Sequence, residues 1–110
     1  MTYEVHITSA AERDINGAAD HIEYVLLNPQ AAEALLDEVE EKVTNLLSFP
    51  KRRQIVDDPV LKTWGIRYVP VKNYLAFYVV SEERQTIYVV RFLFARRDWL
   101  SILKQGISFE

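Results

Sequence analysis

The chain contains no cysteine, which rules out disulfides and thiolate metal sites and makes the cytoplasm the expected compartment. Histidine is nearly as scarce, with two in 110 residues, so a zinc site is not expected and no metal or cofactor is assigned. No apolar run approaches the roughly 20 residues that span a bilayer, and Met1-Thr2-Tyr3-Glu4 lacks the basic start and apolar stretch of a signal peptide. No membrane partner is therefore expected. A length of 110 residues leaves room for one domain, expected to occupy 1–110. The hydrophobic share, 49%, is that of a globular protein rather than a disordered one.

Charge is unevenly spread. Residues 1–50 carry two cations against ten carboxylates, a local charge of −8, whereas residues 51–110 carry 11 cations against six, or +5. Such asymmetry suggests two faces with different partners, although acid-rich helices beside acid-poor strands give the same split.

Apolar spacing predicts the elements. Tyr3, Val5 and Ile7 alternate with polar residues as in a half-buried strand. Ser9-Ala10-Ala11-Glu12 reads as a capping box with Ser9 as N-cap. It opens a helix over residues 10–27, with Ile15, Ala18, Ala19, Ile22, Val25 and Leu26 on one stripe. Asn28-Pro29 ends that helix and starts a second, striped by Ala32, Leu35, Leu36, Val39, Val43, Leu46 and Leu47 and stopping near Ser48-Phe49-Pro50. Two such helices with a tight link form an antiparallel hairpin whose apolar face needs a cover. Lys51–Lys62 reads as a connecting loop. Strands follow at Trp64–Val71, Tyr74–Val80 and Thr86–Phe94, joined by Lys72-Asn73 and Ser81–Gln85. Tyr74–Val80 is apolar on both faces and reads as central. Asp98 caps a short last helix carrying Trp99, Leu100, Ile102 and Leu103. The fold class is α+β: an N-terminal strand, an antiparallel helical hairpin, a three-stranded antiparallel meander and a short C-terminal helix.

The candidate site residues are cations with aromatic neighbours. Arg67 and Arg91 interrupt strands of Val, Ile, Tyr and Phe, and an arginine inside a sheet is either ion-paired or faces a groove. Lys72 lies in a turn, and Arg96-Arg97-Asp98-Trp99 sets two cations at a strand exit, a grouping that suits phosphate or carboxylate recognition. Arg84, in a turn, reads as an ordinary surface residue, as do His6 and His21. Arg67, Arg91, Arg96 and Arg97 are expected on one exposed concave side, opposite the acidic hairpin.

In joint order and spacing, the capped hairpin ending in Leu-Leu-Ser-Phe-Pro, then Gly65-Ile66-Arg67, Val69-Pro70-Val71-Lys72-Asn73-Tyr74, Phe77-Tyr78, Val90-Arg91-Phe92-Leu93 and Ala95-Arg96-Arg97-Asp98-Trp99 resemble the RelE/ParE superfamily of bacterial type II toxins. The resemblance covers residues 3–103, and the long hairpin and Ala-Arg-Arg ending are similar to the ParE side. It implies a toxin held inactive by a co-expressed antitoxin lying over the hairpin–sheet groove as a hetero-oligomer. RelE-like members cleave mRNA in the ribosomal A site without a metal; ParE-like members bind DNA gyrase and are not nucleases. Both stay open here, with the metal-independent mRNA interferase placed first and the gyrase inhibitor and a non-toxic, antitoxin-binding member as alternatives. For the nuclease the resemblance makes Arg67, Arg91, Arg97 and Tyr74 catalytic and Arg96, Lys72 and Trp99 binding residues. Three departures weigh against it. Leu75 stands where many nucleases have arginine, Trp99 stands where several have a catalytic His or Tyr, and the pI is near 5.4, low for a polyanion binder.

Overall fold

The computed structural model describes residues 2–110, with the order β1 (Glu4–Ile7), α1 (Ser9–Asp20), a π-helical stretch (His21–Val25), α2 (Pro29–Leu46), α3 (Pro59–Thr63), β2 (Arg67–Val71), β3 (Tyr74–Ser81), β4 (Thr86–Phe94) and α4 (Trp99–Lys104). The four strands form one sheet ordered β1-β4-β3-β2; β2, β3 and β4 are an antiparallel meander, while β1 pairs parallel to β4. The expected α+β arrangement is therefore present. The parallel docking of β1 follows from chain length, since two whole helices separate it from the next strand and permit a crossover.

The hairpin apolar stripe is covered by one face of the sheet. Ile15, Leu35, Val39, Val43 and Leu46 pack against Val69, Val71, Ala76, Tyr78, Ile87, Val89 and Phe92. The other face is also covered, by a cluster of Val56, Leu61, Ile66, Phe77, Val90, Leu93 and Leu103, with Trp99 and Ile107 packed on it. Double coverage explains why β3 is apolar on both faces.

Several local expectations are corrected. The N-cap of α1 is Thr8, not Ser9: Thr8 is fully buried, and its Oγ1 accepts from Ala11 N at 3.2 Å and donates to Val89 O at 3.0 Å. A buried hydroxyl satisfied in both roles outcompetes an exposed one, and Ser9 donates instead to the Glu110 carbonyl at 3.3 Å. Lys51–Lys62 is not all loop, because Asp58 Oδ2 accepts from Val60 N (3.0 Å) and Leu61 N (3.1 Å) and caps α3. Trp64 ends α3 instead of opening β2, which starts at Arg67. The first helix widens after Asp20: Leu26 N bonds His21 O at 3.0 Å, five residues back. Leu27 then adopts φ +52°, a left-handed conformation uncommon for leucine. Asn28 caps α2 through Ala31 N at 3.1 Å, with Pro29 in its first turn, as the sequence predicts. Among the described residues no helix is long and apolar enough to cross a membrane.

Candidate functional site

The sheet register separates the arginines. Arg67 opens β2 opposite Tyr78, which lies opposite Val89; at the other end of the meander Val71, Tyr74 and Phe94 align, and Arg96 and Arg97 follow beyond them. Arg67 on the outer strand is thus about four residue rows, some 13 Å, from the row that Arg96 and Arg97 follow. Arg91 stands opposite Phe77 in the β3–β4 register, one row from the row of Arg67 and Tyr78. Along the meander the cations therefore fall at two levels, Arg67 and Arg91 at one and Arg96 and Arg97 at the other.

Arg67 and Arg91 have partners of their own. Arg67 Nη1 donates to the Lys51 carbonyl at 3.2 Å and the Arg53 carbonyl at 2.6 Å. Beside it, Tyr78 Oη donates to the Pro50 carbonyl at 2.8 Å, and burial pushes its phenol up to about 12, against a smaller opposing pull from Arg67 and Arg53. Together these two side chains hold the chain from Pro50 to Arg53 by its carbonyls.

Arg91 is a clamp between sheet and helix. Its Nε and Nη2 donate to the Asp14 carboxylate at 2.6 and 3.1 Å, and Asp14 Oδ2 also accepts from the Phe92 backbone N–H at 3.0 Å. β1 pairs with β4 only as far as Val89, where Val90 forms a bulge between the partners of Phe77 and Tyr78. Past that point the edge of β4 has no strand beside it, and side chains take over. Thr8 donates its backbone N–H (3.0 Å) and its hydroxyl (3.0 Å) to Val89 O, the hydroxyl also reaching Val90 O (3.3 Å), while Asp14 takes the N–H of Phe92. Asp14, not singled out from the sequence, is thus the key neighbour of Arg91. The signal available was its position on the sheet-facing side of α1, one residue before buried Ile15.

The remaining candidates divide into paired and free. Lys72, at φ +52°, donates its backbone N–H to Glu38 Oε2 at 2.9 Å, with Nζ 3.9 Å from the same carboxylate. Tyr74 is half-buried, stacked on Phe92 at 4.9 Å between ring centres and edge-on to Phe94 at 5.5 Å. Trp99 packs on Phe77 at 5.2 Å, anchoring α4 to the second cluster. Arg96 and Arg97 are exposed, and among the described residues neither forms an ion pair. No cluster of three His, Asp or Glu side chains able to hold a metal occurs among the described residues.

One feature outside the cation pattern stands out. Tyr24, Val25, Leu26 and Leu27 lie consecutively at the hairpin tip, 60–80% exposed. A cavity of about 490 Å³ opens beside them, lined in part by Ile22, Leu26, Leu35, Tyr74 and Phe94. Exposed apolar surface of this kind makes the tip a candidate partner surface.

Residues 5–99 match the model of the ParE toxin of type II toxin-antitoxin system, parDE. In structure the chain is similar to a chromosomal ParDE toxin–antitoxin system from P. aeruginosa, at TM-score 0.70 and 19% identity over 86% of this chain and 97% of that one. It is also similar to an E. coli RelE toxin variant in the free state, at TM-score 0.62 and 14% identity over 96% and 98%. The RelBE2 toxin–antitoxin complex from Mycobacterium tuberculosis gives TM-score 0.59 and 21% identity over 86% and 99%. No curated protein matches significantly in sequence.

Proposed function

The chain belongs to the ParE toxin family of type II toxin–antitoxin systems, and from that premise we propose that it arrests growth without chemistry of its own, by binding a protein target. On the ParE side of the superfamily that target is DNA gyrase.

The observation that carries this reading is the Arg91–Asp14 clamp. Cleaving RNA through a 2′-hydroxyl requires a proton acceptor, a proton donor and positive charge at the phosphate. The Arg91 guanidinium is neutralised by a carboxylate that takes two of its N–H groups and is itself needed by the sheet edge. Arg67 is committed to two main-chain carbonyls, and the Tyr78 phenol, near 12, already donates to a third. Arg96 and Arg97 can supply charge, but an arginine does not release its proton in proteins. The exposed Tyr24–Leu27 tip, by contrast, has the composition of a protein-binding surface. Relatives of the same fold were solved as complexes of toxin with antitoxin, which supports a cognate antitoxin as the neutralising partner here.

The free Arg96–Arg97 pair favours mRNA cleavage as the second reading. Purified protein, titrated into a gyrase supercoiling reaction and into a ribosome-dependent translation extract, separates the two. Inhibited supercoiling with intact message is the expected result. Cuts mapping to the A site and vanishing in Arg97→Ala would replace it with the nuclease. If neither occurs and induced expression leaves growth unchanged, the chain is a non-toxic member.

A further inference from the structure

The segment after α2 is built in an unusual way. Ser48 and Phe49 leave the helix, and Pro50 to Arg53 is tied down from beneath: the Tyr78 phenol donates to Pro50 O, and Arg67 donates to Lys51 O and Arg53 O. With its carbonyls drawn inward, the segment holds Lys51, Arg52 and Arg53 exposed in succession. Lys51 is paired with Glu82, while Arg52, Arg53 and Lys42 on the last turns of α2 form no ion pair among the described residues. These three cations surround a cavity of about 280 Å³ with Asn45 on its wall and Leu46 and Phe49 as its apolar lining. Phe49 is 65% exposed. Buried Tyr78 and half-buried Arg67 therefore fix the backbone of a loop whose side chains make a cationic pocket, and preorganisation lowers the ordering cost of binding.

We propose that this pocket docks an acidic segment of a protein partner, its carboxylates on Arg52, Arg53 and Lys42 and an adjacent apolar side chain against Phe49. Arginine forks match carboxylates bidentately, and an arginine pair beside an exposed aromatic is the composition of an interface hot spot. A nucleic acid fits less well. Its affinity grows with the number of phosphates neutralised, and only three unpaired cations line this pocket. The pocket adjoins the end of α2, whose preceding turns carry Asp37, Glu38, Glu40 and Glu41, so a longer polyanion following that helix meets like charge. The screening length of about 8 Å at physiological salt lets a short acidic segment escape that repulsion.

The test uses the full chain and fluorescence anisotropy with four labelled probes: the peptide Glu-Asp-Phe-Glu-Asp-Leu, its neutral counterpart Gln-Asn-Phe-Gln-Asn-Leu, a 12-nucleotide single strand and the matching duplex. The acidic peptide is expected to bind at least tenfold tighter than the other three, and the binding to weaken as salt rises. Arg52→Ala and Arg53→Ala should each cost about tenfold, the effect of losing a bond between charged groups. Arg52→Glu/Arg53→Glu should abolish binding. Because the internal bonds of this loop go to main-chain carbonyls, the double variant should melt within a few degrees of the parent, and a circular dichroism melt checks that. A second variant, Phe49→Ala, keeps every charge and should weaken the acidic peptide several-fold. The proposal is overturned if the acidic peptide does not bind, if binding survives charge reversal in a folded variant, or if either oligonucleotide binds more tightly than the peptide.

Discussion

Replacing Asp14 with alanine should unfold the protein at a markedly lower temperature, and the amount can be worked from the contacts. The substitution removes two bonds from Arg91, at 2.6 and 3.1 Å, and one from the Phe92 N–H, at 3.0 Å. Side-chain exposures of 24% for Arg91 and 15% for Asp14 place the pair between the surface and the interior. Breaking a fully buried pair costs about 3–5 kcal/mol and an exposed one about 0–1, so about 2–3 kcal/mol is expected, near 1 of it from the stranded N–H. For a chain of 110 residues that is a fall in Tm of about 10 °C. Asp14→Asn keeps an acceptor for Phe92 and should cost less. Arg91→Met should cost less again, and the double variant Asp14→Ala/Arg91→Met should be more stable than the two single losses added together, by about 1–2 kcal/mol, because no unpaired charge remains. Urea melts of the four proteins give that coupling. Additivity within about 0.5 kcal/mol would show that the guanidinium and the carboxylate do not hold each other, and the structural reading of Arg91 would fail. Activity supplies an independent refutation: if Arg91 handles a phosphate, the folded double variant should lose growth arrest, whereas a clamp predicts that arrest survives wherever the fold does.

Three further outcomes follow from other contacts. In a spectrophotometric titration one tyrosine should ionise last, near 12, and Tyr78→Phe should delete that step. Because the folded value lies above the ordinary 10, the folded state holds the proton longer, so stability is whole below pH 10 and falls by about 2 kcal/mol as pH rises from 10 to 12. Asp58 works in the opposite direction: the Leu61 N–H first, then Lys104 at 3.0 Å, hold its carboxyl below the usual range. Its contribution is present above the ordinary carboxylate range near pH 4 and is lost as pH falls through the lowered value, so acid melts of Asp58→Asn should show a shallower pH dependence than the parent. Finally, Leu27→Gly removes a left-handed leucine and should change stability little or raise it by up to about 1 kcal/mol. If growth arrest nevertheless weakens, the exposed tip contributes contacts with the target; unchanged arrest places those contacts elsewhere.

The helical hairpin and the meander were legible because each carries a period. Asn28-Pro29, the stripe from Ala32 to Leu46 and the apolar run of Thr86–Phe94 need only local physics, and they lie where the sequence puts them. What failed locally had a distant cause. Ser9 and Thr8 are both good caps, and the choice is made by carbonyls of Val89 and Val90, some 80 positions away. Asp58-Pro59 has the residue types of a helix start, but it lies in a polar, basic stretch whose only apolar anchor for the helix, Leu61, is explained by the cluster on the far face of the sheet. The π-helical stretch and left-handed Leu27 have no glycine or asparagine to announce them.

The site was harder to read for a related reason. An arginine within an apolar strand says that a charge must be satisfied, but not by whom, and here the answer lies in where neighbouring backbone runs out of partners. Arg67 stands beside a loop that turns its carbonyls inward; Arg91 stands where β1 ends and the edge of β4 is left open. Both positions are fixed by the lengths of elements distant in sequence, so a motif of strand cations can persist while the cations serve the frame rather than a ligand. Conversely, Lys42, Arg52 and Arg53 look like ordinary solvated charge along the chain. They become a pocket only because Arg67 and Tyr78 hold the main chain beneath them. In this fold the strand arginines are used to position a loop and an edge, and the unpaired charge that remains for recognition is carried by residues just outside the regular elements.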